Sequence, residues 1–307
     1  IVLGPLSFQP AEYLKIIVVW FLAHTFSKKQ SAIERYDYQA LTKNRWIPRK
    51  RSQLTDWRYY LLVMIGLVAI QPDLGNAAII VLTTVIMFSI SGVGYRWFTA
   101  LFASIVGLSS AFLGLIALVG VKTMSKVPIF GYVAKRFAAY FNPFKDLTGS
   151  GLQLSHSYYA MSNGGWFGLG LGNSIEKTGY LPEATTDFVF SIVIEELGLI
   201  GAGLILALLF FLILRIMIVG VKARNPFNSM MALGVGSLLL MQVFVNIGGI
   251  SGLIPSTGVT FPFLSQGGNS LLVTSVGIAF VLNIAANEKR DNIVQAIEEE
   301  LSQTQEL

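Results

Sequence analysis

FVFSIVIEELGLIGAGLILALLFFLIL, residues 188–214, carries only two charged residues, Glu195 and Glu196, and is otherwise almost wholly apolar. A helix needs about 20 mostly apolar residues to cross the hydrocarbon core of a bilayer, and this run meets that requirement. Six further runs extend the pattern, at about 11–27, 59–71, 74–92, 97–120, 229–250 and 268–286. The run at 59–71 is short and ends in Gln71-Pro72-Asp73-Leu74-Gly75, after which the next begins at once, so these two form a tight helical hairpin. The expected fold is an all-α polytopic membrane protein, with seven transmembrane helices in one integral domain over 1–307.

Composition agrees with that reading. Of the 307 residues 53% are hydrophobic and only 13% charged, and the mean hydropathy is +0.63. Soluble domains carry roughly 25% charge, so this chain lacks the polar coat of a soluble fold and is too apolar for disorder. It has no cysteine, which excludes disulfides, thiolate metal sites and a cysteine nucleophile. Two histidines, His24 and His156, cannot build a three-histidine zinc site. No nucleic-acid partner is expected.

Orientation follows from Lys and Arg in the short connections. Most of the 22 basic residues fall in 27–58, at Arg96, in 215–228 and in the tail 287–307. If the spans alternate, these segments share one face, the cytoplasmic one. The opposite face holds 1–10, 71–75, 251–267 and a long segment, 121–187. That segment is rich in aromatic residues, and its Lys122, Lys126, Lys135 and Arg136 alternate with apolar residues over 122–141. This pattern predicts an amphipathic helix on the outer leaflet.

Ionisable groups in or beside spans are costly and are therefore candidates for function. Glu12 and Lys15 stand at the start of the first run, Asp73 at the hairpin tip, and Glu183, Asp187, Glu195 and Glu196 around the start of 188–214. All lie towards the outer face, which predicts a polar cavity opening outward. Asp187 follows Thr185 and Thr186 at a helix entrance. It either stabilises a helix N-terminus or acts as a general base with a pKa set by burial against the helix dipole. Glu195 and Glu196 are adjacent, so they point about 100° apart on a helix, and at most one is expected to face the cavity. Asp73 also suits turn chemistry, and Lys15 could snorkel to the headgroups. The glycines 164, 165, 168, 170 and 172 follow no strand, so close backbone packing or a hinge fits them better than a phosphate cradle.

Four strings, in order along the chain, resemble the SEDS family of polytopic peptidoglycan glycosyltransferases. They are Gln9-Pro10-Ala11-Glu12; Gln71-Pro72-Asp73-Leu74-Gly75; Gly172-Asn173-Ser174 through Leu181-Pro182-Glu183-Ala184-Thr185-Thr186-Asp187-Phe188 to Glu195-Glu196-Leu197-Gly198; and Gly252-Leu253-Ile254-Pro255 through Thr257-Gly258, Phe261-Pro262-Phe263, Ser265 and Gly267-Gly268. The resemblance implies ten spans in the whole protein, three of them preceding this sequence. Gly172-Asn173-Ser174 followed by Tyr180-Leu181-Pro182-Glu183-Ala184 resembles the division branch, FtsW, more than the elongation branch, RodA. Many members have histidine where Thr185 stands, so any tuning of the aspartate by that histidine is done differently here.

By this resemblance Asp187 is the catalytic residue; Gln9, Glu12, Lys15, Asp73, Glu183, Glu196 and Ser265 are expected to contact substrate. A divalent cation, Mg²⁺ or Mn²⁺, would be held by Glu12 and Asp73. The implied substrate is lipid II, a disaccharide-pentapeptide on undecaprenyl pyrophosphate. The implied partners are a class B penicillin-binding protein and other membrane proteins of the division machinery. The implied location is the bacterial cytoplasmic membrane at the septum. A lipid II flippase and a non-catalytic scaffold are the rival readings.

Overall fold

The computed structural model describes residues 2–3, 6–42, 57–71, 73–92, 128–149 and 151–305, with single positions at 99, 103, 107 and 114. Eight α-helices carry the described chain: α1 (Pro10–Thr42), α2 (Trp57–Ile70), α3 (Leu74–Ile90), α4 (Pro128–Phe141), α5 (Leu152–Gly164), α6 (Val189–Lys222), α7 (Pro226–Ile250) and α8 (Gly268–Gln305). Val2–Leu3 pairs antiparallel with Leu6–Ser7.

Among the described residues three helices are long and apolar enough to cross a membrane: Val189–Lys222, Pro226–Ile250 and Gly268–Gln303. The expected spans 11–27, 59–71 and 74–92 fall on α1, α2 and α3. Of the span expected at 97–120 only the single positions 99, 103, 107 and 114 are described, all four helical, and Lys122 and Lys126 lie outside the described residues. The expected span 268–286 and the tail after it share one helix, since α8 runs unbroken to Gln305. No helix breaker stands at the junction, where Asn283-Ile284-Ala285-Ala286-Asn287 continues the turn pattern.

The start of α7 is set by its sequence. Pro226 occupies the first turn, where a missing N–H costs nothing, and the Asn225 side chain accepts from the Phe227 amide at 2.9 Å. From there α7 runs through the middle of the bundle, packing on α6, α1, α3 and α8. Its apolar window is 78% buried, against 22% for that of α6. Small residues permit this enclosure, as they do between membrane helices generally. A Cβ built on Gly234 would stand 2.7 Å from Val19 Cγ1 and 2.8 Å from Met87 Cε, and one on Gly236 would stand 2.6 Å from Met217 Sδ.

Helix α6 breaks at Gly198, whose φ of 70° and ψ of 178° are not helical. The break removes the turn bonds that Leu199 and Ile200 would donate to Glu195 and Glu196. The glycine-rich segment after α5 supplies replacements. Leu199 and Ile200 donate to the carbonyls of Gly165 and Trp166 at 2.9 and 3.2 Å, while Leu169 and Gly170 donate to those of Glu195 and Glu196, both at 2.9 Å. Side chains at Gly164 and Gly168 would collide with the backbone of Ile194 and Glu196, so these glycines serve close packing.

Gly234→Val should push α1 and α3 off α7. Overpacking of this kind costs about 1–3 kcal/mol and should lower the midpoint of thermal unfolding in detergent.

Candidate active site

The helices α1, α3 and α6 begin at the same end of the bundle, and the α7–α8 connection closes over them. Between them lies a polar basin of about 300 Å³, lined by Gln9, Glu12, Asn76, Glu183, Thr186, Asp187 and part of the segment 258–270. The first turn of α1 brings Gln9 and Glu12. The first turn of α3 brings Asn76, with Asp73 as its cap.

Asp73 accepts from the Asn76 amide at 3.1 Å through Oδ1 and from Asn76 Nδ2 at 2.9 Å through Oδ2. The same side-chain nitrogen donates to Glu12 Oε1 at 3.3 Å, and Gln9 Nε2 donates to Asp73 Oδ2 at 3.3 Å. One asparagine thus joins two carboxylates from different helices. Lys15 pairs with Glu12 Oε2 at 2.7 Å and is 2% exposed. It stands behind Glu12 and does not reach the headgroups or the basin wall. Glycine is required at 75, since a Cβ there would meet Val259 Cγ2 at 2.5 Å and the Thr257 carbonyl at 2.7 Å.

Asp187 is half-buried and lies just before α6, whose N-cap is Phe188. The N-cap position is thus held by Phe188, with no side-chain cap hydrogen bond. Glu183, at φ 58°, closes a turn that accepts the amides of Thr186 and Phe188, both at 3.2 Å. Thr186 Oγ1 donates to Glu183 Oε2 at 2.6 Å. Ser265 Oγ donates to the Thr186 carbonyl at 2.6 Å and accepts from the Phe261 amide, also at 2.6 Å. Ser265 is thus a brace between two loops and is not among the residues lining the basin.

Three residues beside Asp187 give no sign of that position in the sequence. Asn246 on α7 donates to the carbonyls of Asp187 at 2.8 Å and Val259 at 2.6 Å. Arg136 on α4 donates to Ser256 O at 2.6 Å. Gly258, at φ 73°, lies between the two charges: a Cβ there would be 3.1 Å from Arg136 Nη2 and 3.2 Å from Asp187 Oδ2. Arg136 was expected on a lipid-facing amphipathic helix, but it turns inward to this loop. Asn246 gives no charge signal, and Arg136 reads as one more cation in a basic stretch.

The Asp187 carboxyl is pushed up to about 6. Burial is the main cause, Glu183 adds to it, Arg136 opposes it, and Asp73 and Glu12 contribute less.

Glu195 and Glu196 do not join the basin. Glu195 is fully buried and accepts from Asn163 Nδ2 at 3.1 Å, from Ser174 Oγ, and from the Ile175 and Glu176 amides, both at 3.3 Å. Glu196 pairs with Lys177. Neither faces the cavity, within the expectation of at most one, because the inserted segment engages both. His156 is packed, with Nδ1 2.6 Å from Glu176 Oε2. Among the described residues no group of three or more His, Asp or Glu is placed to hold a metal ion. Glu12, Asp73 and the buried Asn76 Oδ1, which has no hydrogen-bond partner, offer oxygen donors of the kind Mg²⁺ takes beside substrate phosphates and water.

The cell cycle protein family that groups FtsW, RodA and SpoVE matches residues 1–290. The chain belongs to this family. It is 50% identical over 285 residues to the probable peptidoglycan glycosyltransferase FtsW of Lactococcus lactis subsp. lactis, covering 93% of this chain and 67% of that protein. Against the Bacillus subtilis FtsW of the same description it is 38% identical over 283 residues, covering 92% and 66%. The chain thus spans about two thirds of the length of these relatives. Its fold is similar to a chain from a peptidoglycan synthase complex described as coordinating polymerization and crosslinking, with a TM-score of 0.63, 26% identity and coverage of 94% of this chain and 73% of that one. The rod shape determining protein RodA of Thermus thermophilus shares the fold with a TM-score of 0.55 and 24% identity, covering 94% and 69%. Family membership makes the chain a multi-pass membrane protein.

Asn246→Ala should leave two buried carbonyls without a donor, at a cost of about 1–3 kcal/mol. Thermal unfolding in detergent should show the loss.

Proposed function

We propose that the chain polymerises lipid II into glycan strands at the outer face of the cytoplasmic membrane, with Asp187 as general base. The relatives' names support the glycosyltransferase activity. The observation that carries the role of Asp187 is its carboxyl, raised to about 6 on the wall of a polar basin and facing Arg136 across Gly258.

In this reaction a sugar hydroxyl of the acceptor attacks the anomeric carbon of the donor. Asp187 takes the hydroxyl proton, the new glycosidic bond forms, and the bond to the lipid pyrophosphate breaks with its electron pair. A base with a pKa near 6 remains largely ionised at neutral pH and still has proton affinity, as general base catalysis requires. Arg136 supplies positive charge near the attack. Glu183, Asp187, Glu12 and Asp73 make the basin rich in negative charge, so a pyrophosphate needs further cations there. Glu12, Asp73 and Asn76 would hold Mg²⁺ or Mn²⁺, which when bound supplies that charge. Gln9 orients Asp73, and Lys15 offsets Glu12.

The closer match to FtsW supports septal synthesis alongside other division proteins. A class B penicillin-binding protein is the proposed crosslinking partner, as the likeness to a synthase complex suggests. Seven spans, of ten in the whole protein, are the proposed topology.

The full-length protein with its penicillin-binding partner, given labelled lipid II and a divalent cation, should produce a glycan ladder on a gel. Asp187→Ala and Asp187→Asn should reduce it by about 10²–10⁴-fold while still binding the partner. An unchanged ladder in both variants would remove Asp187 from the reaction.

The working form is the carboxylate, so the rate should rise with pH through about 6. Glu183→Gln removes a charge that raises this pKa and should move the rising limb to lower pH. Arg136→Gln removes a charge that lowers it and should move the limb higher. A pH–rate profile of each variant checks both signs.

A further inference from the structure

The segment that mends the break in α6 has a second property. Residues 164–175 contain no Asp, Glu, Lys or Arg. Trp166, Phe167 and Leu171 are 67%, 83% and 78% exposed. Exposed aromatic residues on a rigid loop need a medium that accepts them.

Its position relative to α6 identifies that medium. Gly170 bonds at the level of Glu196, whose pair with Lys177 is partly exposed and belongs at headgroup or water level. Trp166 bonds at the level of Ile200, four residues further along the span. Four residues of unbroken helix would rise roughly 6 Å, and the non-helical Gly198 between them changes that figure. Trp166 still lies on the membrane side of the break, in the range of depth that interfacial apolar residues reach. Ile200 also begins a stripe of exposed apolar side chains on α6, continued by Leu204, Leu208 and Phe211, which is the lipid-facing side of the span. The tip of the segment is thus continuous with a surface already meant for acyl chains.

Backbone can enter this depth only with its polar groups satisfied, because water is not there to replace them. The exchange at Gly198 supplies partners for much of the segment's backbone. Gly165 and Trp166 accept from α6, Leu169 and Gly170 donate to it, and Gly168 donates to Gly164 at 2.7 Å.

We propose that residues 165–171 form a re-entrant aromatic anchor, with Trp166 and Phe167 seated at the boundary between headgroups and acyl chains of the outer leaflet. The occupant of this surface is lipid. The proposal rests on the membrane placement of α6 and not on the chemistry assigned to Asp187.

Because the chain has no cysteine, labels can be placed one at a time. Full-length protein, with the introduced cysteine as its only one, would carry a nitroxide at Phe167→Cys, Trp166→Cys, Lys177→Cys or Leu204→Cys. It would be reconstituted in vesicles of phosphatidylethanolamine and phosphatidylglycerol. Relaxation by oxygen, which concentrates in lipid, is compared with relaxation by a water-soluble nickel chelate. The Phe167 and Trp166 labels should show an oxygen-to-nickel ratio severalfold above that at Lys177 and nearer to that at Leu204. Nickel access equal to that at Lys177 would place the segment in water and overturn the proposal. Shielding from both reagents would show that protein covers it and would overturn it equally. Phe167 is exposed enough for its replacement to leave packing unchanged, and the Trp166 label gives an independent reading. None of these outcomes depends on polymerase activity.

Discussion

The amide of Asn246 holds the site together. Its two donated bonds draw the backbone of Asp187 and that of Val259 onto α7. One end of that bridge is the entrance to α6 and the other is the connection to α8, two segments about 70 residues apart in sequence. Gln242, one turn earlier, does the same for Thr260, donating to its carbonyl at 3.0 Å. A helix buried on nearly all sides normally carries no polar side chains, since each must find a partner. Here the partners are loop carbonyls, and satisfying them fixes the loops. The rigidity of the basin is therefore inherited from the best-packed helix of the bundle.

The charges of the basin depend on that rigidity. Glu12, Glu183 and Asp187 line one space with Asp73 beside it at the cap of α3, and their repulsion helps to raise Asp187. Left free, these side chains would separate and the effect would fade. Asn76 prevents this for Glu12 and Asp73, and the turn around Glu183 prevents it on the other side. Arg136 tempers the result, and Gly258 allows it to come close because no side chain intervenes.

The sequence revealed much of this, for physical reasons that also explain the gaps. Ionisable residues beside long apolar runs are expensive, so Glu12, Asp73, Glu183 and Asp187 were legible as a group before any geometry was known. Proline and glycine announced the hairpin at 71–75. Asn246 and Asn76 were illegible because neutral amides are common and cheap; only their partners distinguish them. Arg136 was misread because an amphipathic pattern specifies which face is polar and not what that face meets. Glu195 and Glu196 point apart as adjacent helical residues must, but the sequence does not tell that the segment 163–177 meets both. Lys15 lost its snorkelling alternative to a partner one turn away.

Helix α8 adds a mechanical consequence. Its 38 residues make a rod of roughly 57 Å. Ser270 at one end lines the basin; about halfway along, Glu288 accepts from the Arg224 amide at 3.2 Å, and two turns further on Gln295 accepts from the Arg224 side chain. With no break between these points, one continuous helix joins the basin wall to the Arg224 contact.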